Sequence, residues 1–223
     1  MPPSARFGAS GRFADRASAG IALGRKLARR SFHRPVVVLG LARGGVPVAY
    51  EVARRLCVPL DVMVVRKLAA PGQPELAVGA IASGNIIVRD ARFPTSMPPP
   101  AEMFDQLVDR ERLELARRER VYRGDPGPLD LTGKTAILVD DGLATGCTML
   151  AAIRSARLAG AAQVVAAAPI GSEEAEELVA READAMVVLR TPRFLSSIGE
   201  WYLQFEQLQD EEVCRLLALG RAT

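Results

Sequence analysis

Histidine is nearly absent, with His33 the single one in 223 residues. Two-histidine metal sites and histidine relays are thereby excluded, because each needs a second imidazole. Cysteine is scarce as well: Cys57, Cys147 and Cys214 lie far apart, with no Cys-x-x-Cys pair. An odd, scattered set supports neither a disulfide framework nor a thiolate zinc site, and it suits a reducing compartment. Aromatics are few, at seven Phe, three Tyr and one Trp, which leaves little for a base-stacking surface. Neither sign of charge is in marked excess. The 29 basic and 26 acidic residues give +3, without the polybasic arm that would indicate a nucleic-acid partner. Runs of about 18 apolar residues, which a membrane helix needs, are missing too. Met1–Arg30 carries Arg, Ser and Gly but no apolar h-region, so it does not read as a secretory signal. The expectation is a cytoplasmic protein with no membrane partner.

What is present suffices for one compact domain: 49% hydrophobic and 25% charged residues, with moderate Gly and Pro usage. Residues 12–30 place Phe13, Ala17, Gly20, Leu23 and Leu27 at helical spacing and predict an amphipathic helix. A β-branched run, 36–40, predicts a buried strand. It is followed by a helix at 46–56, with Pro47 in its first turn, and a strand at 61–66. Two weaker alternating runs, 76–82 and 85–89, flank a Ser83-Gly84 break of hairpin type. A charged helix over 101–123 follows the Pro98–Pro100 stop, and its charges read as a solvated face. Strands at 135–139, 163–168 and 185–190 alternate with helices at 148–159 and 172–182, and a short helix at 210–219 closes the chain. Such alternation predicts a mostly parallel sheet with helices on both faces, and ligands then bind at the carboxyl ends of its strands.

One strand end is dense in functional groups: Val139-Asp140-Asp141-Gly142-Leu143-Ala144-Thr145-Gly146-Cys147-Thr148. Two carboxylates there can accept hydrogen bonds from vicinal sugar hydroxyls. Gly142 and Gly146 permit a tight anion-binding loop, and the loop enters a helix whose N-terminal N–H groups favour phosphate. A bland alternative is a helix-capping turn. Gly133-Lys134-Thr135 imitates the end of a Walker A loop, but Pro128 stands at the required earlier glycine and the triplet precedes a strand.

The segment Thr135–Thr148 resembles the 5-phosphoribosyl pyrophosphate (PRPP) signature of type I phosphoribosyltransferases. Two further elements agree with it. Leu39-Gly40-Leu41-Ala42-Arg43-Gly44-Gly45 resembles the family's pyrophosphate loop, and Arg66-Lys67-Leu68-Ala69-Ala70-Pro71-Gly72 resembles the start of its mobile catalytic loop. The run Leu41–Ala53, the Arg66–Gly72 segment and Gly199-Glu200-Trp201-Tyr202 are similar to a bacterial group of predicted phosphoribosyltransferases.

The resemblance implies a single type I phosphoribosyltransferase-like α/β domain with a small hood and a flexible hairpin loop. Its core would span about 30–190, and the hood about 191–209 together with the N-terminal segment. The implied activity is Mg²⁺-dependent transfer of the phosphoribosyl group from PRPP to a nitrogen acceptor such as a nucleobase, with pyrophosphate leaving. The implied alternative is a regulator that senses PRPP without catalysis.

The roles carried over are these. Asp140 and Asp141 grip the ribose hydroxyls. Gly142 and Ala144–Thr148 hold the 5′-phosphate. Ala42, Arg43, Gly44 and Gly45, with Arg66 and Lys67, hold the pyrophosphate. Mg²⁺ is expected to bind mainly through PRPP and water, with no dedicated protein ligand. Phe194, Trp201 or Tyr202 would stack on the acceptor, or else pack the hood or an oligomer contact. Cys147 reads as a small packed side chain or a reactive thiol. A homodimer is a further expectation from the family.

Overall fold

The computed structural model describes residues 11–70, 73–90, 101–124 and 129–221. The expected Pro71-Gly72 turn, the Pro98–Pro100 stop, Pro128 and the first ten residues lie outside them. A seven-stranded sheet has the order β4-β3-β2-β1-β5-β6-β7. Its strands are β1 (Val36–Ala42), β2 (Leu60–Ala70), β3 (Gln73–Ala82), β4 (Ile86–Arg89), β5 (Thr135–Val139), β6 (Gln163–Ile170) and β7 (Ala185–Arg190). The five strands β2, β1, β5, β6 and β7 run parallel, whereas β3 is antiparallel to both β2 and β4. The mostly parallel sheet is therefore as expected, with a hairpin extension on one edge.

Six helices cover the sheet: α1 (Arg16–Leu27), α2 (Gly45–Leu56), α3 (Ala101–Arg123), α4 (Cys147–Leu158), α5 (Glu173–Ala180) and α6 (Asp210–Arg221). The period-2 pleat divides the core in two. Val62, Val64, Ile137 and Val139 face one side with Leu23 of α1, Val52 of α2, Phe104 of α3 and Val213 of α6. Met63, Val65, Ala136 and Leu138 face the other with Leu150 of α4 and Val179 of α5. Burial on both faces explains why the central strands read as continuous apolar runs.

Two expectations are corrected. The first helix starts at Arg16, not at residue 12, because Asp15 and Ser18 form a capping box that sets its N-terminus. Phe13 consequently lies in extended chain that bridges to Tyr202, in a third small core with Ala19, Ile170 and Tyr202. The N-terminal segment thus joins residues 198–206 in the hood: Phe13 N–H donates to Trp201 O at 2.9 Å and Leu203 N–H to Phe13 O at 2.9 Å.

The second correction concerns α3, whose charges are not all solvated. Phe104, Leu107, Val108, Glu111, Leu115, Arg118 and Tyr122 form one buried stripe at helical spacing, with two charges inside it. Among the described residues, no helix is long and apolar enough to cross a membrane.

Candidate active site

Parallel neighbours bring their following loops to one end of the sheet. Gly40 pairs with Val139, so the β1–α2 loop and the β5–α4 loop emerge side by side. The contact between them is tight. A Cβ on Gly44 would stand 2.1 Å from Asp141 Oδ2, and one on Gly45 would stand 2.3 Å from Val139 O. Both glycines are required by this close approach, whatever their dihedral angles. Ala42, Arg43, Gly44 and Gly45 thereby lie against Asp140 and Asp141, and the Ala42–Arg43 peptide is cis.

The β5–α4 loop is anchored from the far side. Leu143 N–H donates to Ile170 O at 2.8 Å, and the Ser172 hydroxyl donates to Ala144 O at 2.9 Å. Gly146 caps α4 at φ +80°, a conformation that glycine adopts without strain. Thr145 Oγ1 accepts from the Cys147 N–H at 3.3 Å. The Cys147 side chain is buried in the core, so its backbone, and not its thiol, faces the loop. Gly142 is overlain by the hood, since a Cβ there would stand 2.4 Å from Ile198 Cδ1.

The two acids differ in their surroundings. Asp140 Oδ1 accepts from the Asp141 N–H at 2.9 Å, and its carboxylate also bonds Thr148. Burial pushes the Asp140 carboxyl well above its ordinary range, and the Asp141 charge adds to this. Asp141 is also raised by burial, but Arg16 opposes that rise. Arg16 Nε donates to Asp141 Oδ2 at 2.8 Å, and Tyr202 OH donates to the Asp141 carbonyl at 2.7 Å. Burial, followed by the Asp141 charge, raises the Tyr202 phenol.

The cations expected at the pyrophosphate are tethered. Arg66 bonds Glu111 Oε2 through Nε at 2.8 Å and through Nη2 at 2.6 Å, and Glu111 is only 5% exposed. Arg43 lies 3.7 Å from Asp210 Oδ1, and Asp210 also accepts from Tyr122 OH at 2.5 Å and from Arg117 at 3.0 Å. Alternation along β2 sends Arg66 to the α3 face with Val64 and Leu68, and Lys67 to the opposite face with Met63 and Val65. The pair therefore does not act as one two-pronged clamp from the strand.

The aromatics separate similarly. Tyr202 is 4% exposed, with Phe13 and Phe205 against its ring at centroid distances of 5.8 Å and 5.0 Å. Its ring is enclosed in the hood and not open to an acceptor, which corrects the stacking expectation for this residue. Trp201 is half-buried, whereas Phe194 is 89% exposed.

Sequence reasoning missed Arg16, Glu111 and Asp210. Two had a signal: Arg16 is a cation in a helix's first turn, and Glu111 interrupts an otherwise apolar stripe.

A phosphoribosyl transferase domain model matches residues 15–209. The chain belongs to that family. Among its phosphoribosyl transferase relatives is a Mycobacterium tuberculosis protein, recorded in two strains, whose assignment to this activity is itself by inference. It is 44% identical over 205 residues, which make up 92% of this chain and 46% of the relative. The chain thus spans about half the length of the curated relatives it matches. The crystal structure of TT1426 from Thermus thermophilus has the same phosphoribosyl transferase fold. It superposes with TM-score 0.74 at 39% identity, covering 94% of this chain and 99% of that one.

Proposed function

We propose that this phosphoribosyl transferase domain binds PRPP and transfers its phosphoribosyl group to a nitrogen acceptor, releasing pyrophosphate. The observation that carries the reading is the contact of the β1–α2 glycine loop with the Asp140–Asp141 pair, directly before the N-terminus of α4. Free N–H groups in the first turn of α4, with the Thr145 and Thr148 hydroxyls, receive the 5′-phosphate. Asp140 and Asp141 accept from the ribose hydroxyls and fix the anomeric carbon opposite the β1–α2 loop. Backbone N–H groups of Ala42–Gly45, with Arg43, take the charge that develops on the departing pyrophosphate. The nitrogen nucleophile forms the new bond to the anomeric carbon as the bond to pyrophosphate breaks. Orientation and electrostatics then carry most of the rate.

The donor set fits Mg²⁺. Asp140 and Asp141 offer hard carboxylate oxygens, already engaged enough that PRPP and water would complete the shell. When bound, the ion supplies charge neutralisation at the pyrophosphate.

One observation favours a second reading, PRPP sensing without transfer: Arg43 and Arg66 are already paired with Asp210 and Glu111. Pyrophosphate release separates the two. The protein is mixed with PRPP, Mg²⁺ and a panel of nitrogen acceptors, nucleobases first. Acceptor-dependent release is expected, and PRPP binding without release on any acceptor would leave the sensor.

A further inference from the structure

The first turn of α1 goes against a general preference. A helix N-terminus carries partial positive charge and favours acids, yet α1 has no acid in its first turn and begins with Arg16. The capping box makes the position definite, since the Ser18 N–H donates to Asp15 Oδ1 at 2.7 Å and the Asp15 N–H donates to Ser18 Oγ at 3.1 Å. A locally unfavourable residue held this firmly points to a partner elsewhere.

That partner is Asp141, 125 residues away. Besides the 2.8 Å bond to Asp141 Oδ2, Arg16 donates through Nη1 to Glu206 O at 2.9 Å, and its guanidinium lies 3.7 Å from the Phe205 ring centroid. The pair is enclosed, with side chains 12% and 14% exposed. Phe205 stacks in turn on Tyr202, whose hydroxyl holds the backbone carbonyl of the same Asp141.

We propose that Arg16 is a positioning residue for the donor site, holding Asp141 ionised and aimed so that PRPP affinity depends on the N-terminal segment. The inference rests on the reading of Asp141 as an acceptor for a ribose hydroxyl. Arg16 takes Oδ2, and Oδ1 makes no hydrogen bond among the described residues, so one carboxylate oxygen is held while the other meets the ligand. The groups facing Asp141 are Asp140 on its own loop, Tyr202 from the hood and Arg16 from α1. Burial and the neighbouring acid both disfavour its negative charge, and Arg16 offsets them. Without the guanidinium, Asp141 holds its proton to higher pH and gives up the stronger, charge-assisted bond.

The test is calorimetric titration with PRPP and Mg²⁺ at pH 6, 7 and 8 for the wild type, Arg16→Gln and Arg16→Lys, and for both Arg16 variants combined with Asp141→Asn. PRPP titrates in this range itself, so each affinity is divided by the wild-type value at the same pH. Arg16→Gln is expected to bind about tenfold more weakly at pH 6 than at pH 8 on that ratio, as a shift of one pKa unit dictates. Arg16→Lys keeps the charge and is expected to give a flat ratio. In the Asp141→Asn background, Arg16→Gln should add less than about twofold, since the two act as a unit.

A loss of equal size at every pH, or an undiminished loss in the Asp141→Asn background, would overturn the proposal and leave Arg16 as hood packing. If Arg16→Gln does not fold, carboxyl ¹³C titration of wild-type Asp141, assigned against Asp141→Asn, decides instead. Ionisation throughout pH 6–8 is expected, and a midpoint inside that window contradicts it. A wild-type protein that binds no PRPP would refute the donor-site reading, while the ¹³C titration would still judge the Arg16 pairing.

Discussion

Replacing Gly44 and Gly45 by alanine, one at a time, separates binding from folding. The two positions are adjacent, but a new Cβ meets different obstacles. At Gly45 it would stand 2.3 Å from Val139 O and 2.9 Å from Asp140 Cα, both backbone atoms at the end of β5. Neither can yield without moving β5. The cost is that of overpacking, about 1–3 kcal/mol. For a domain of this size that lowers Tm by roughly 2–12 °C.

At Gly44 the obstacle is the Asp141 carboxylate, 2.1 Å away at Oδ2 and 2.7 Å at Cγ. A side chain can rotate, so the structural cost is smaller. Rotation, however, breaks the 2.8 Å bond to Arg16 and moves the acid off the ribose position. Gly44→Ala is therefore expected to keep Tm within about 3 °C of the wild type on the same scale, yet lose at least about tenfold in PRPP affinity, equal to about 1.4 kcal/mol. Thermal unfolding and calorimetry on the same preparations read both. Unchanged PRPP affinity in Gly44→Ala, or an unchanged Tm in Gly45→Ala, would refute the claim that the two loops touch at this point.

Other consequences are as definite. Asp140→Asn should raise Tm at neutral pH while weakening PRPP binding. The raised Asp140 carboxyl binds its proton more tightly folded than unfolded, so its contribution favours the fold at low pH and is lost as pH rises through the folded pKa. Tm measured against pH should show the gain shrinking toward acid, and a gain that grows toward acid would reverse the sign. Glu111→Gln deprives Arg66 of its charge partner on α3 and should cost about 1–3 kcal/mol in denaturant unfolding. A change below about 0.5 kcal/mol would mean the pair is a surface contact. Phe13→Ala empties the hood core and should cost about 3–5 kcal/mol if hood and core unfold together. A separate early transition would instead mark the hood as its own unit.

Sequence legibility followed the range of the interactions. The β5–α4 loop was readable because Asp140 to Thr148 are contiguous and each serves a stated chemical purpose. The sheet was readable because burial on both faces leaves unbroken apolar runs such as Thr135–Val139. Phe13 was misplaced on a helix because its spacing to Ala17 is helical, although Asp15 and Ser18 three residues apart mark the true start. The stripe on α3 was visible in its period, but nothing local says that Glu111 inside it is paired with Arg66 of a distant strand. Arg16, Asp210 and the enclosure of Tyr202 depend on contacts between the chain's ends and its centre, which no local pattern encodes.

The central claim is that the β1–α2 and β5–α4 loops together form a PRPP site. Calorimetric titration of the wild type with PRPP, with and without Mg²⁺, tests it most directly beside the Asp140→Asn/Asp141→Asn variant. The account predicts Mg²⁺-dependent binding that the double variant loses while it still unfolds cooperatively. Binding of equal strength in both proteins, or no binding by the wild type under either condition, would contradict it.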